Sequence, residues 1–250
     1  MPHHDQPASG NAANAPPLPE VRVALGWRAR EVERRSTARV SFPDVDYSVE
    51  ILEEGPVALA YADPAHAFVL PPGRFLRLDQ TAGRVHVVTA TPQMDVLGPA
   101  AAVALADSIA RLLSAAGWQR QADEGLGSQA AVVRAGRTAD ASGFGVVTVG
   151  VWRIPRGAEP WAALPPDPVP FGTDEWDGAE ATLTVRPMKR RSAEAAEPRL
   201  LLQLRLRDGR LGASLTAMEA ARRQRHGGAQ QTLTSWDREP EEVLSANGPR

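Results

Sequence analysis

Apolar residues at helical spacing mark one long segment in the middle of the chain. Over residues 99–116 they recur every three to four positions, and polar residues such as Asp107 and Ser114 lie on the opposite side. Pro99 suits the first helical turn, and Gly117 suits the left-handed position that follows a helix end. The pattern predicts an amphipathic helix over about 99–116 that packs on a sheet.

Alternation of apolar and polar residues predicts strands on both sides of this helix. Before the helix, five runs alternate: residues 21–25, 45–51, 57–61, 75–78 and 85–89. The last two flank Gly83 in a pattern typical of a β-hairpin, and together the runs indicate an antiparallel meander. After the helix, a valine-rich run at 146–154 predicts a strand buried on both faces, and alternating leucines at 200–206 predict another. We therefore predict an α+β fold with antiparallel sheets, the long helix on one face, and two small α+β subdomains.

Composition divides the chain into four parts. Residues 1–20 are rich in proline and small residues and have almost no large apolar side chain, which predicts a disordered tail. One α+β subdomain is expected at 21–120 and a second at 121–225, followed by a polar C-terminal tail at 226–250. The second subdomain contains six prolines within residues 155–178, and this stretch is expected to be a long loop.

The overall charge and the residue usage exclude several classes of chemistry. The formal net charge is -2, so no global electrostatic attraction to nucleic acid or anionic lipid is expected. The chain has no cysteine, which rules out disulfides, thiolate metal sites and cysteine nucleophiles. Lys189 is the only lysine, and with the abundant alanine, glycine and proline this usage indicates a GC-rich, bacterial origin.

No stretch approaches the roughly 20 apolar residues that cross a bilayer. The N-terminus lacks the basic and apolar regions of a signal peptide. The compartment stays open: the chain as written is expected in the cytoplasm, and in the cell envelope or periplasm if an anchor or signal precedes residues 1–20.

Sequence motifs for catalysis, cofactor binding or metal binding are absent. The histidines lack the spacing of a zinc site, there is no Gly-x-Ser-x-Gly turn, and no glycine-rich loop precedes Lys189. We therefore predict no catalytic, cofactor-binding or metal-binding residue and no cofactor. The alternative is an enzyme whose carboxylate or histidine site assembles only in the folded chain, with Asp44, Asp46, His66 and His86 as its candidate residues.

Two kinds of feature suggest interaction surfaces instead. The 155–178 loop carries Trp161 and Trp176 beside acidic residues, and tryptophans outside a core either mark interfaces or fold back as loop anchors. Basic clusters occur at 189–191 and 222–225 without the interleaved aromatic residues of nucleic-acid platforms, and a solvated hairpin tip and helix end are expected there. We expect a protein partner at the 155–178 loop and no nucleic acid.

One local resemblance concerns residues 21–32. Gly26-Trp27 followed by Glu31-Val32 resembles the Gly-hydrophobic-x-x-x-Glu-Val helix opening of small bacterial outer-membrane-assembly lipoproteins, and it implies no function here. From the whole sequence we predict a non-catalytic bacterial binding or interaction protein, either an envelope-associated accessory or an immunity-type protein. The oligomeric state is left open.

Overall fold

The computed structural model describes residues 17–52, 55–138, 145–155, 178–188, 197–229 and 231–238. Within these ranges the fold is α+β, as predicted. The helices are α1 (Ala29–Arg35), α2 (Pro99–Ala115), α3 (Ser128–Thr138), α4 (Gly209–Arg225) and α5 (Leu233–Asp237). The strands are β1 (Glu20–Val23), β2 (Tyr47–Leu52), β3 (Ala58–Tyr61), β4 (Phe68–Val69), β5 (Phe75–Thr81), β6 (Arg84–Thr91), β7 (Gln119–Arg120), β8 (Val147–Pro155), β9 (Gly178–Pro187) and β10 (Leu200–Arg207).

The main sheet is antiparallel and has the strand order β2-β5-β6-β10-β9-β8-β7. Its β5–β6 connection confirms the hairpin predicted around Gly83. The two turn residues, Ala82 and Gly83, have φ values of 50° and 73°, the pair of positive values that a type I′ turn requires. Because side chains alternate across the pleat, β10 places four leucines on one face and Gln203, Arg205 and Arg207 on the other.

A second sheet of three strands, β1-β3-β4, corrects part of the predicted meander. β1 runs parallel to β3, and β4 pairs with β3, so the chain leaves the main sheet after β2 and returns to it at β5. Alternation correctly located β1 and β3, but it contains no information about which strand pairs with which. Tyr61 and Phe68 stack at 5.3 Å, and both meet the ring of Trp118 edge-on.

The long helix α2 confirms the prediction over 99–116. Pro99 occupies its first turn, and Gly117, at φ 83°, follows its last residues. The backbone N–H of Trp118 then donates to the carbonyl of Leu113 at 3.0 Å, which closes the helix end. Its buried side includes Ile109 and Leu113, and α2 packs with α3 on the apolar face of the main sheet.

Strands from both sides of residue 120 belong to one sheet. Leu204 of β10 pairs with Ala90 of β6, and the apolar residues of both halves form a continuous core. The division into two subdomains stays a prediction. Within the expected polar tail, α5 buries Leu233 and Trp236 against the β5–β6 turn. None of the described helices is long and apolar enough to cross a bilayer.

Candidate functional site

The two predicted aspartates, Asp44 and Asp46, both contact the C-terminal helices. Asp44 accepts hydrogen bonds from the backbone N–H of Thr234 at 2.7 Å and from its hydroxyl at 3.0 Å. The backbone bond contributes most to lowering the pKa of Asp44. Asp46 is 1% exposed and accepts from the Arg223 guanidinium at 2.9 Å. Burial alone would raise the pKa of Asp46, but the hydrogen bond and charge of Arg223 outweigh it, so the pKa lies below its ordinary value.

Glu219, one turn before Arg223 on α4, completes this cluster. Its carboxylate contacts the same guanidinium. Burial, followed by the negative charge of Asp46, raises the pKa of Glu219. Two carboxyl groups whose pKa values are pushed apart are typical of acid–base pairs, but they occur equally in structural networks. Sequence reasoning missed Glu219, because an acid within a charged helix has no distinguishing signal of its own.

The two candidate histidines lie on different elements and have structural partners. His66 Nδ1 is 3.0 Å from the carbonyl oxygen of Ala116, at the end of α2. His86 Nε2 is 3.1 Å from the hydroxyl of Thr81, and burial lowers the pKa of His86. The four enzyme candidates therefore do not converge on a common partner. Within the described ranges, no three histidine, aspartate or glutamate side chains form a metal-binding group.

The predicted interaction features have mixed outcomes. Trp161, Trp176 and the acidic stretch lie outside the described residues, as does the 189–191 basic cluster. In the other basic cluster, the Arg222 guanidinium lies 4.2 Å from the centre of the Trp236 ring. Trp118 and Trp152 lie in the core and are 2% and 1% exposed.

A cavity on the polar face of the main sheet brings together residues that the sequence did not single out. Its origin lies at the end of β6, where Pro92 has no N–H to continue the ladder with β10. The buried Gln93 side chain takes over that role. Its Oε1 accepts from the Leu202 N–H at 2.9 Å, and its Nε2 donates to the Leu200 carbonyl at 3.2 Å. Gln93 thus joins β6 to β10 while the backbones diverge.

The space beside this junction, the arginine cavity, has a volume of about 480 Å³. Arg74, Arg186 and Arg199 line it from the start of β5, the end of β9 and the start of β10. Within the described part of the chain none of the three forms an ion pair. Asp95 is the acidic residue that lines it. The cavity therefore has an excess of positive charge.

Polar groups without partners also line the arginine cavity. Thr91 is 7% exposed, yet its hydroxyl has no hydrogen bond to any residue that the structure describes. The amide of Gln203 is likewise unpaired within those ranges. Both groups line the cavity and are open to it, so water or a ligand there can bond to them. Thr91 and Gln203 are thus positioned to bond to a molecule in the cavity.

Three other arginines on the polar face are paired with carboxylates of the protein. Arg77 pairs with Asp79 at 2.7 Å, and Arg153 and Arg207 both pair with Glu180 at 3.0 Å. Asp79 and Glu180 therefore already pair with other arginines, and they do not neutralise the arginines of the cavity.

Two further cavities have other linings. One, of about 510 Å³, lies between α2 and α3 and is mostly apolar, with Val103 and Val132 in its wall. The other lies at the edge strand β2 beside Arg39 and Glu50. Neither brings unpaired cations together, so the arginine cavity is the strongest candidate site. In comparisons with known proteins, the chain matches no protein-family model, no curated protein and no solved structure.

Proposed function

We propose that this chain is a non-catalytic binding protein that recognises an acidic segment of a partner protein in the arginine cavity. The proposal rests on one observation: three arginines without ion pairs among the described residues line one cavity. Guanidinium groups bind carboxylates through two parallel hydrogen bonds, which gives both strength and direction. Three such groups along one rim give the cavity a local positive charge that favours an anionic ligand.

A protein partner fits this site better than a nucleic acid. Single-stranded nucleic acids bind along a basic groove with several aromatic side chains for base stacking. Here the cations surround a bounded space, and Phe75 is the one aromatic side chain that lines it among the described residues. The cavity is also open at its arginine rim, because Arg74, Arg186 and Arg199 are all exposed. An acidic side chain of a partner can enter from that rim.

The test uses the full chain and a fluorescein-labelled nonapeptide of alternating glutamate and glycine, followed by fluorescence anisotropy. The double variant Arg186→Gln/Arg199→Gln is compared with Arg111→Gln/Arg134→Gln, which removes two exposed arginines from α2 and α3. The first should weaken binding about 100-fold, because each of the two charge-assisted interactions contributes about 1.4 kcal/mol. The second should change it less than about threefold, because screened surface charges contribute little.

Equal reductions of peptide affinity in the two double variants would mean that net charge alone drives binding, which contradicts the proposal. Binding of single-stranded RNA that is tighter than that of the peptide, and equally sensitive to Arg186 and Arg199, would replace the protein partner by a nucleic acid. Circular dichroism of each variant verifies that the fold is retained.

An enzyme is the second candidate, and the Asp46–Glu219 pair is the observation that favours it. One carboxyl has a lowered pKa and the other a raised one, as in general acid–base pairs. Both groups contact Arg223, and neither lines any of the three cavities. A screen of ester, glycoside and phosphate substrates in which Asp46→Asn abolishes an activity of the wild-type protein would favour the enzyme.

A further inference from the structure

The arginine cavity is lined by apolar residues as well as by arginines. Leu201 pairs across the sheet with Arg186 and lies two residues after Arg199, on the same face of β10. Side chains of directly opposed residues have Cβ atoms about 5 Å apart. The Leu201 side chain is therefore flanked by two guanidinium groups, one from its own strand and one from β9.

A second apolar group lies on the other side of the cavity. Phe75 pairs with Thr91 across β5 and β6 and is only partly buried. Gln203 follows Leu201 by two residues and lies on the same face of β10. A ligand in the cavity thus meets Arg186, Arg199 and Leu201 on the β9–β10 side and Arg74 and Phe75 on the β5 side, with hydroxyl and amide groups between them.

We propose, on the basis of the proposed function, that the cavity takes an acidic side chain together with an apolar side chain that neighbours it in the partner. The acidic group bridges Arg186 and Arg199, and the apolar group packs on Leu201 and Phe75. A compact inorganic anion would satisfy the arginines but would leave the apolar surface exposed to water. An apolar ligand alone would cover Leu201 but would leave the guanidinium groups without a counter-charge. A partner segment with an acidic residue beside an apolar residue would satisfy the arginines and also cover the apolar surface.

The acidic group has two chemical sources, a carboxylate and a phosphoryl group, because arginine binds both through the same fork geometry. The cavity volume of about 480 Å³ accommodates two or three side chains. Peptides that differ in their acidic or apolar groups therefore separate the sources. Four labelled nonapeptides with identical glycine flanks are used, with the centres Glu-Phe-Glu, Glu-Gly-Glu, Gln-Phe-Gln and phosphoserine-Phe-Gly.

Anisotropy titrations of the full chain measure the four affinities. We expect Glu-Phe-Glu to bind about tenfold more tightly than Glu-Gly-Glu, since burying part of a phenyl ring contributes about 1.4 kcal/mol. Gln-Phe-Gln should bind at least about 30-fold more weakly than Glu-Phe-Glu, because it offers no charge to the arginines. Leu201→Ser should remove the preference for phenylalanine and leave the affinity for Glu-Gly-Glu within about twofold. Tighter binding of the phosphoserine peptide would identify a phosphoryl group as the acidic group.

The outcomes distinguish this inference from the function on which it rests. Equal affinities for Glu-Phe-Glu and Glu-Gly-Glu would overturn the inference, while the acidic-segment proposal would survive. Failure of both peptides to bind would overturn both proposals. Since Leu201→Ser also removes apolar packing, Val133→Ser, at an exposed position on α3, serves as its folding control and should leave all four affinities unchanged.

Discussion

The Gln93 side chain makes a hydrogen bond that a strand backbone normally makes, so its removal should be costly. Gln93→Ala deletes the bond to the Leu202 N–H at 2.9 Å and leaves that donor buried without a partner. The Leu200 carbonyl keeps its bond from the Leu97 N–H at 2.9 Å, so one orphaned group is expected. An unpaired buried donor costs about 1–3 kcal/mol, and with the reduced side-chain packing we expect about 3 kcal/mol in total.

Gln93→Glu separates the donor from the acceptor role of the same side chain. Its carboxyl can still accept from Leu202, but it faces the carbonyl oxygens of Leu200 and Asp95, to which the Gln93 amide donates. Only a protonated carboxyl can donate to them, so its pKa in the folded chain must rise above the unfolded value of about 4.3. The stability contribution of this carboxyl is therefore present at acid pH and lost as the pH rises through the folded pKa.

Urea unfolding followed by tryptophan fluorescence measures both effects, as differences from the wild type at about pH 4.5 and pH 8. Gln93→Ala should be destabilised by similar amounts at both values, whereas Gln93→Glu should be close to the wild type at the lower pH and worse than Gln93→Ala at the higher. Gln121→Ala is the matched control, because that amide bonds only to the nearby Gln119 carbonyl among the described residues, and it should stay within about 0.5 kcal/mol. Two results would refute the role assigned to Gln93. One is a Gln93→Ala destabilisation below about 0.5 kcal/mol, which is the control level, and the other is a Gln93→Glu effect that does not depend on pH.

Three other changes test packing and charges at the end of β6 and around the C-terminal helices α4 and α5. Gly73→Ala places a methyl group on the carbonyl oxygen of Thr91, and thermal denaturation should show a destabilisation of about 1–3 kcal/mol; an unchanged Tm would contradict the close approach. The lowered pKa of Asp46 gives stability that is lost as the pH falls, and the raised pKa of Glu219 gives stability that is lost as the pH rises. Glu219→Gln should therefore flatten a plot of urea midpoint against pH in the window just above the ordinary glutamate pKa; an unaltered slope there would count against the pair. Trp236→Ala should cost about 3–5 kcal/mol in urea unfolding, an effect that a dispensable polar tail would not show.

Local patterns in the sequence were sufficient to predict the elements that are stabilised by contacts between neighbouring residues. The helix α2 has its start, apolar face and stop within one segment, and Gly117 and Trp118 close it through a contact with Leu113. The hairpin at Gly83 is equally local, because a two-residue turn with positive φ fixes the register of its strands. For both, the decisive interactions join residues only a few positions apart.

Elements stabilised by distant contacts could not be found in this way. Alternation located β1 and β3 but not their sheet, which depends on the parallel pairing of β3 with β1. Helix α5 has only five residues, and its order depends on Asp44, about 190 positions earlier in the chain, and on the space beside Gly83. A short polar segment with one tryptophan has no periodic signal, so it resembles a frayed tail until its partner surface is known.

The arginine cavity depends on the fold in the same way, because it brings together residues from distant parts of the sequence. A net charge of -2 was no reason to expect a cationic site, since a sum over the chain ignores which charges neutralise each other. In the fold, Asp79 and Glu180 pair with arginines elsewhere on the polar face, while three other arginines meet where Pro92 interrupts a ladder. One signal was present in the sequence: a proline directly after a long apolar strand, followed by an amide side chain. Such a pair indicates that a strand junction is maintained by a side chain, and the space that opens beside the junction is where charged side chains can converge.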